Sequence, residues 1–107
     1  KGTMIMCIPN NGSIDGLRND DVVEITCDVD KNGCTPHRIG KADEQNLELI
    51  RRVKNYERLS SKAIRERSRS AAIQALTLHP LVNSYSIAVK LVDEFIEHNK
   101  NYCGGWK

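Results

Sequence analysis

The sequence predicts an α+β fold, with short strands and a hairpin followed by three helices. Two observations carry this. Strand-like patterns are confined to the first forty or so residues, and from about Asp43 the apolar period changes to that of amphipathic helices. Strands first and helices after are the α+β pattern rather than the alternation of a parallel α/β sheet. At 107 residues the chain is one domain at most, large enough for a single core.

Met4 to Ile8 is a continuous apolar run, as expected of a strand buried on both faces. It breaks into the turn Pro9-Asn10-Asn11-Gly12, makes an excursion through Gly16, and returns as Val22 to Val29. This second strand alternates from Val23, which places Val23, Ile25, Cys27 and Val29 inward and Glu24, Thr26 and Asp28 on the wet face. Asp30-Lys31-Asn32-Gly33 carries the Asn-Gly hairpin signal, and Cys34 to Ile39 reads as the return strand. Pro36 makes that return an edge strand, because proline cannot donate to a ladder.

The first helix starts near Asp43 and Glu44, where negative charge suits the helix dipole, and carries Leu49, Ile50, Val53, Tyr56, Ala63 and Ile64 at helical spacing. Ser68 or Ser70 caps a second helix bearing Ala71, Ala72, Ala75, Leu76 and Leu78, which must end before Pro80. Ser84 caps a third, with Ile87, Ala88, Leu91, Val92, Phe95 and Ile96 on one face and Gly104-Gly105 as its stop.

The formal charge of +2 is small but unevenly placed. Nine of fourteen acids lie between Asp15 and Glu48, and eight of sixteen basic residues lie between Arg51 and Arg69. The basic residues surround the helix rather than forming one row, Glu57 and Glu66 interrupt them, and no nucleic-acid motif accompanies them. Glu48 and Arg52 stand at (i, i+4), a pairing that supports an exposed helix. A solvated or interfacial helix is expected, with no nucleic-acid partner. No window is long and apolar enough for a membrane span, and no signal peptide is visible, so a cytoplasmic chain with reduced cysteines is expected. Cys7 and Cys27 read as strand residues, and Cys34 and Cys103 as free and partly exposed. A chain that opens on Lys close to a strand has the look of a fragment of something longer.

Asp28-Val29-Asp30-Lys31-Asn32-Gly33 matches the first half of a calcium loop, but the closing position is Ile39 rather than a bidentate Glu. A hairpin turn explains the same residues with nothing missing. Cys27, Cys34 and His37, with His98 or Cys103, could be assembled into a zinc set. Only Cys34-Thr35-Pro36-His37 has ligand spacing, and the second pair is absent. His79, before Pro80, is placed to cap helix carbonyls, and His98 to sit at a helix C-terminus. Neither a nucleophile elbow, a glycine-rich dinucleotide fingerprint nor a Walker sequence occurs. On these grounds the chain is an α+β domain without a visible active site, and neither a catalytic residue nor a metal ligand is assigned.

Three blocks resemble the C-terminal segment of the NAD- and metal-dependent family 4 glycoside hydrolases. They are Pro9-Asn10-Asn11-Gly12-Ser13-Ile14 with Gly16-Leu17 and Asp20-Asp21-Val22-Val23-Glu24-Ile25; Val53-Lys54-Asn55-Tyr56-Glu57-Arg58-Leu59; and Gln74-Ala75-Leu76-Thr77-Leu78-His79-Pro80-Leu81-Val82, followed by Ala88, Leu91-Val92-Asp93-Glu94 and His98. The Tyr-Glu-Arg-Leu and His-Pro-Leu-Val forms look most like the 6-phospho-β-glucosidase branch. The resemblance implies the C-terminal domain of lactate/malate dehydrogenase-like type and a hydrolysis that departs from the two-carboxylate scheme. NAD oxidises the sugar at C3, the aglycone is eliminated across C1 and C2, water adds, and the hydride returns, with manganese polarising the oxidised carbonyl.

It further implies that the dinucleotide-binding domain, the metal ligands and the catalytic base belong to an earlier part of the enzyme. NAD and Mn2+ would then serve the full-length protein and neither is expected on this chain alone. The chain would complete a substrate-side and oligomerisation domain of a homo-oligomer acting on a phosphorylated disaccharide. Asn10, Asn11 and Gly12 are the residues expected to approach substrate or cofactor, with a structural turn as the alternative. A non-catalytic oligomerisation or interaction module is the alternative for the whole chain. Two stretches depart from the family: Lys62-Ala63-Ile64-Arg65-Glu66-Arg67-Ser68-Arg69, where a small acidic helix junction is usual, and Cys103-Gly104-Gly105-Trp106, where Leu-Pro is usual.

Overall fold

The computed structural model describes all residues, 1–107. Three strands, β1 (Gly2–Pro9), β2 (Val22–Asp30) and β3 (Gly33–Pro36), precede three helices, α1 (Glu44–Glu66), α2 (Arg69–Leu78) and α3 (Tyr85–His98). The expected order of elements is therefore present. The single core expected from chain length is not, because the chain divides into two compact units, Lys1–Leu47 and Glu48–Lys107, each with its own apolar cluster. Each segment closes a small cluster locally and leaves large apolar side chains outside it, among them Met4 and Ile5 in the first and Leu81 and Phe95 in the second.

In the first unit the sheet is antiparallel in the order β1-β2-β3. The central strand follows its alternation: Val23, Ile25 and Cys27 are buried, and Met6, Ile8, Ile14, Leu17 and Val29 pack against them. Burial pushes the Cys27 thiol up, with Cys34 beside it adding to the effect, so Cys27 stays protonated and inert. β1 is an edge strand and is not buried on both faces as its apolar run suggests. Met4 and Ile5 are 50% and 65% exposed. One face of the sheet is covered by the β1–β2 loop through Ile14 and Leu17, which leaves Ile5, on the opposite face, uncovered. β3 also ends sooner than expected, at Pro36, although His37 N still donates to Thr26 O at 2.8 Å.

The hairpin pairs Asp30 with Gly33, and Asp30 Oδ1 accepts the Asn32 N–H at 2.8 Å. This Asx-type bond spends the first-half calcium pattern on a turn. Asp28 is engaged as well: Thr3 donates to its Oδ1 at 3.0 Å, and His37 Nε2 lies 3.1 Å from the same atom. The hydrogen bonds from His37 and then Thr3 hold the Asp28 carboxyl below its usual range. One carboxylate on β2 thereby holds β1 and the residue that follows β3 on the wet face.

In the second unit α1 ends in a Schellman arrangement. Ser68 N–H donates to Ala63 O at 2.9 Å and Arg67 N–H to Ile64 O at 3.3 Å, with Arg67 at φ +49° where glycine is usual. Ser68 then caps α2, its Oγ accepting from Ala71 N, and Ser84 caps α3 by accepting from Ile87 N. Ile73, Ala88 and Val92 form the cluster, with Ala63, Ala71 and Ala75 also buried. Arg69 grips Asp93 through both guanidinium nitrogens at 2.6 and 2.9 Å, which ties the start of α2 to α3 and lowers the Asp93 carboxyl.

Three local expectations are corrected here. α3 stops at His98, before the glycines, because the Asn99 amide turns back onto Phe95 O at 2.9 Å. Arg52 donates to Asn83 Oδ1 at 2.9 Å rather than pairing with Glu48. Leu49 and Ile64, placed on the apolar stripe of α1, are more than half exposed. His79 does cap α2, but through its backbone N–H, which donates to Leu76 O at 3.1 Å; its ring Nδ1 accepts from Leu81 N at 3.2 Å, and the ring stands edge-on to Tyr56 at 4.5 Å.

Because the folded Asp28 carboxyl lies below its unfolded value of about 3.9, its stabilisation is complete above that pH and is lost as pH falls through the lower folded value. Asp28→Asn should therefore lower the urea midpoint at pH 7, and the gap to wild type should close in acid unfolding followed by circular dichroism. Ala88→Leu, which overfills a site with no free volume at its surface (0% exposed), should cost about 1–3 kcal/mol in the same urea titration.

Candidate functional site

The loop between β1 and β2 is the most organised irregular segment of the first unit. The ladder ends at Pro9 opposite Val22, and two further backbone bonds extend it, from Asn10 N to Asp21 O at 2.7 Å and from Asn11 N to Asn19 O at 3.1 Å. Ser13 N donates to Asn10 O at 2.7 Å, which closes a four-residue turn with Asn11 at φ +41° and Gly12 at φ +80°. Positive φ at both central residues is the type I′ geometry, which explains why Asn-Gly stands there.

Asn10, Asn11 and Gly12 are brought together, but they play different parts. The Asn10 side chain is fully buried. Its Oδ1 accepts from Ile14 N at 2.8 Å, and its Nδ2 donates to Ile14 O at 3.1 Å and Leu17 O at 3.4 Å. An amide so committed holds the loop from inside and has no face left for a ligand in this chain. Asn11 and Gly12 are exposed at the tip, so what they offer outward is an amide side chain and open peptide groups.

Three contributors were missed by sequence reasoning. Asp21 is buried, and its Oδ2 accepts from Arg18 N at 3.0 Å. Ser13 is buried, and its carbonyl accepts from Ile39 N at 2.9 Å and Gly40 N at 3.0 Å. Asp15 N returns a bond to Gly40 O at 2.9 Å, so the segment after β3 lies parallel to the loop. The only sequence signal for Asp21 was an acid directly before the alternating strand. For Gly40, at φ +70°, it was a glycine where the expected strand ended.

The rim is charged and self-paired. Arg18 forks onto Asp20 at 3.1 and 3.2 Å, and Arg38 meets Asp15 at 3.0 Å. No group of three His, Cys, Asp or Glu side chains is gathered anywhere. Of the weighed zinc residues, Cys27 faces the sheet core, whereas His37 is turned to Asp28 on the other face. The basic residues of α1 are largely spent within its own unit, Lys54 on Glu57 at 2.8 Å and Arg58 on Asn55 at 2.9 Å.

A braced loop on a three-stranded antiparallel sheet, followed by three helices, defines a small α+β domain. The family model for the C-terminal domain of family 4 glycosyl hydrolases matches residues 1–82, and the chain belongs to that family. Among its relatives, the 6-phospho-β-glucosidase BglT of Thermotoga maritima is 41% identical over 93 residues, which are 87% of this chain and 22% of that protein. The maltose-6'-phosphate glucosidase MalH of Clostridium acetobutylicum is 37% identical over 99 residues, 92% of this chain and 22% of MalH. Among solved structures, a 6-phospho-α-glucosidase from gut microorganisms in complex with NAD and Mn2+ superposes with a TM-score of 0.92 at 29% identity, over 99% of this chain and 24% of that one. The T. maritima 6-phospho-β-glucosidase with NAD and glucose-6-phosphate gives 0.84 at 39% identity, over 94% and 25%. The chain thus spans about a quarter or less of the proteins it matches. These relatives are phosphoglucosidases of both α and β type.

Removing the Asn10 amide leaves half-buried Ile14 and Leu17 backbone groups without this partner. Asn10→Ala should cost about 2–3 kcal/mol in urea unfolding. Gly12→Ala, which only forces a side chain into positive φ, should cost about 1–2 kcal/mol.

Proposed function

We propose that this chain is the C-terminal part of a cytoplasmic 6-phospho-β-glucosidase, a homo-oligomer that hydrolyses phosphorylated disaccharides with NAD and Mn2+. The observation that carries this reading is family membership together with 41% identity to a 6-phospho-β-glucosidase over 87% of the chain. The β preference is supported by Tyr56-Glu57-Arg58-Leu59 and His79-Pro80-Leu81-Val82, which resemble that branch. No helix of the chain is long and apolar enough to cross a membrane.

The residues present do not fit either cofactor. A divalent cation needs a gathered set of ligands, and no three His, Cys, Asp or Glu side chains meet. A dinucleotide needs a glycine-rich turn between strand and helix, and every strand here runs antiparallel to its neighbour. No chemical step is therefore assigned to this chain. Its contribution to the whole enzyme is the turn Asn10-Asn11-Gly12, with Asn10 holding the backbone and Asn11 and Gly12 carrying the polar groups that approach substrate or cofactor.

The purified chain with NAD and Mn2+ should not hydrolyse a chromogenic 6-phospho-β-glucoside, and turnover would refute the reading. Grafted in place of the matching quarter of T. maritima BglT, it should support hydrolysis of the β-glucoside in preference to its α anomer. A soluble, oligomeric graft without activity would favour the interaction-module alternative. In an active graft, Asn11→Gly, which keeps the positive φ and removes the amide, should raise KM with little change in the urea midpoint.

A further inference from the structure

The Cys103-Gly104-Gly105-Trp106 stretch, which departs from the family pattern, has a structural role that the proposed function does not use. A cavity of about 270 Å³ opens on the second unit, walled by α1, α2 and α3 through Tyr56, Ala63, Leu76, Val92 and Ile96, and completed by Trp106. The segment reaches it by pairing with the α1–α2 junction. Lys107 N donates to Arg67 O at 2.8 Å, and Arg69 N donates to Lys107 O at 2.8 Å. Between these bonds and the end of α3 lie two glycines, of which Gly105 adopts φ +82°. Trp106 is half-buried, while Tyr102 and Cys103 just before it are exposed.

The helices on either side are closed without this segment. The N-terminus of α2 is capped by Ser68 and tied to α3 by Arg69 and Asp93. The end of α3 is closed by Asn99, whose amide reaches Phe95 O and whose carbonyl accepts from Tyr102 N and Cys103 N, both at 2.8 Å. Two backbone bonds and one ring, on a glycine hinge, can therefore open while the helical cluster stays intact.

We propose that Gly104–Lys107 is a releasable strap that closes one end of the apolar groove of the helical unit. In the closed state Trp106 shields the groove. In the open state the groove lining faces solvent and the Arg69 and Lys107 amides lose their partners.

The test is hydrogen exchange on the full chain, with Gly105→Val as the perturbation. A β-branched side chain at φ +82° is strained, and its Cβ would meet Arg67 Nη1 at 3.0 Å. The strain should shift the opening equilibrium about tenfold. Exchange of the Arg69 and Lys107 amides should quicken by that factor, while Ala75 and Val92 amides hold their rates. Trp106→Ala should independently raise binding of the dye ANS with helical circular dichroism retained. If all four amides quicken together in Gly105→Val, or helical signal is lost in either variant, the segment is part of the core and not a strap. If neither exchange nor dye binding changes, it does not close the groove.

Discussion

The first unit depends on one buried primary amide. An asparagine with no solvent exposure must have its donors and acceptor satisfied internally, or it costs more than an alanine would. Asn10 meets that demand with three bonds to Ile14 and Leu17, and the same bonds fix the course of the loop. Once the loop is fixed, Ile14 and Leu17 fall onto the face of the sheet, where they cover Val23, Ile25 and Cys27. The loop also offers the Ser13 carbonyl to which the segment after β3 attaches. A three-stranded sheet would otherwise have a bare apolar face. The amide turns a connection into the missing layer of the core.

The helical unit solves a different problem with small residues and caps. Buried alanines on α2 and α3 permit their close approach around Ile73 and Val92, which gives a core of modest volume. The chain reverses between α1 and α2 within two residues. Ser68 closes the end of one helix through its backbone and the start of the next through its side chain. Arg67 accepts the left-handed backbone there at a cost that glycine would avoid, and Arg69 secures the junction to α3.

The charged side chains around the loop are paired with one another, and Asp28 and Asp93 are held by hydrogen bonds to their neighbours. Such pairs fix the backbone segments that carry them. The loop that they frame ends in an Asn-Gly turn whose course is set by the buried Asn10 amide.

Local periodicity and local chemistry were enough to order the elements. The alternation of β2, the serine caps of α2 and α3, the Pro36 limit and the Asn-Gly turn all act within a few residues, so they are legible without the fold. The blocks around Asn10, Tyr56 and His79 also carried the family. The tertiary structure alone decided which apolar residues are covered, because an apolar run has no label for the face that will find a partner. It placed Met4 and Ile5 outside, divided the core in two, and paired Arg52 with Asn83, 31 residues away. It also separated Asn10 from Asn11. The two are identical side chains side by side in the sequence, but one lies beneath the loop where its bonds are compulsory and the other at the tip where water can supply them.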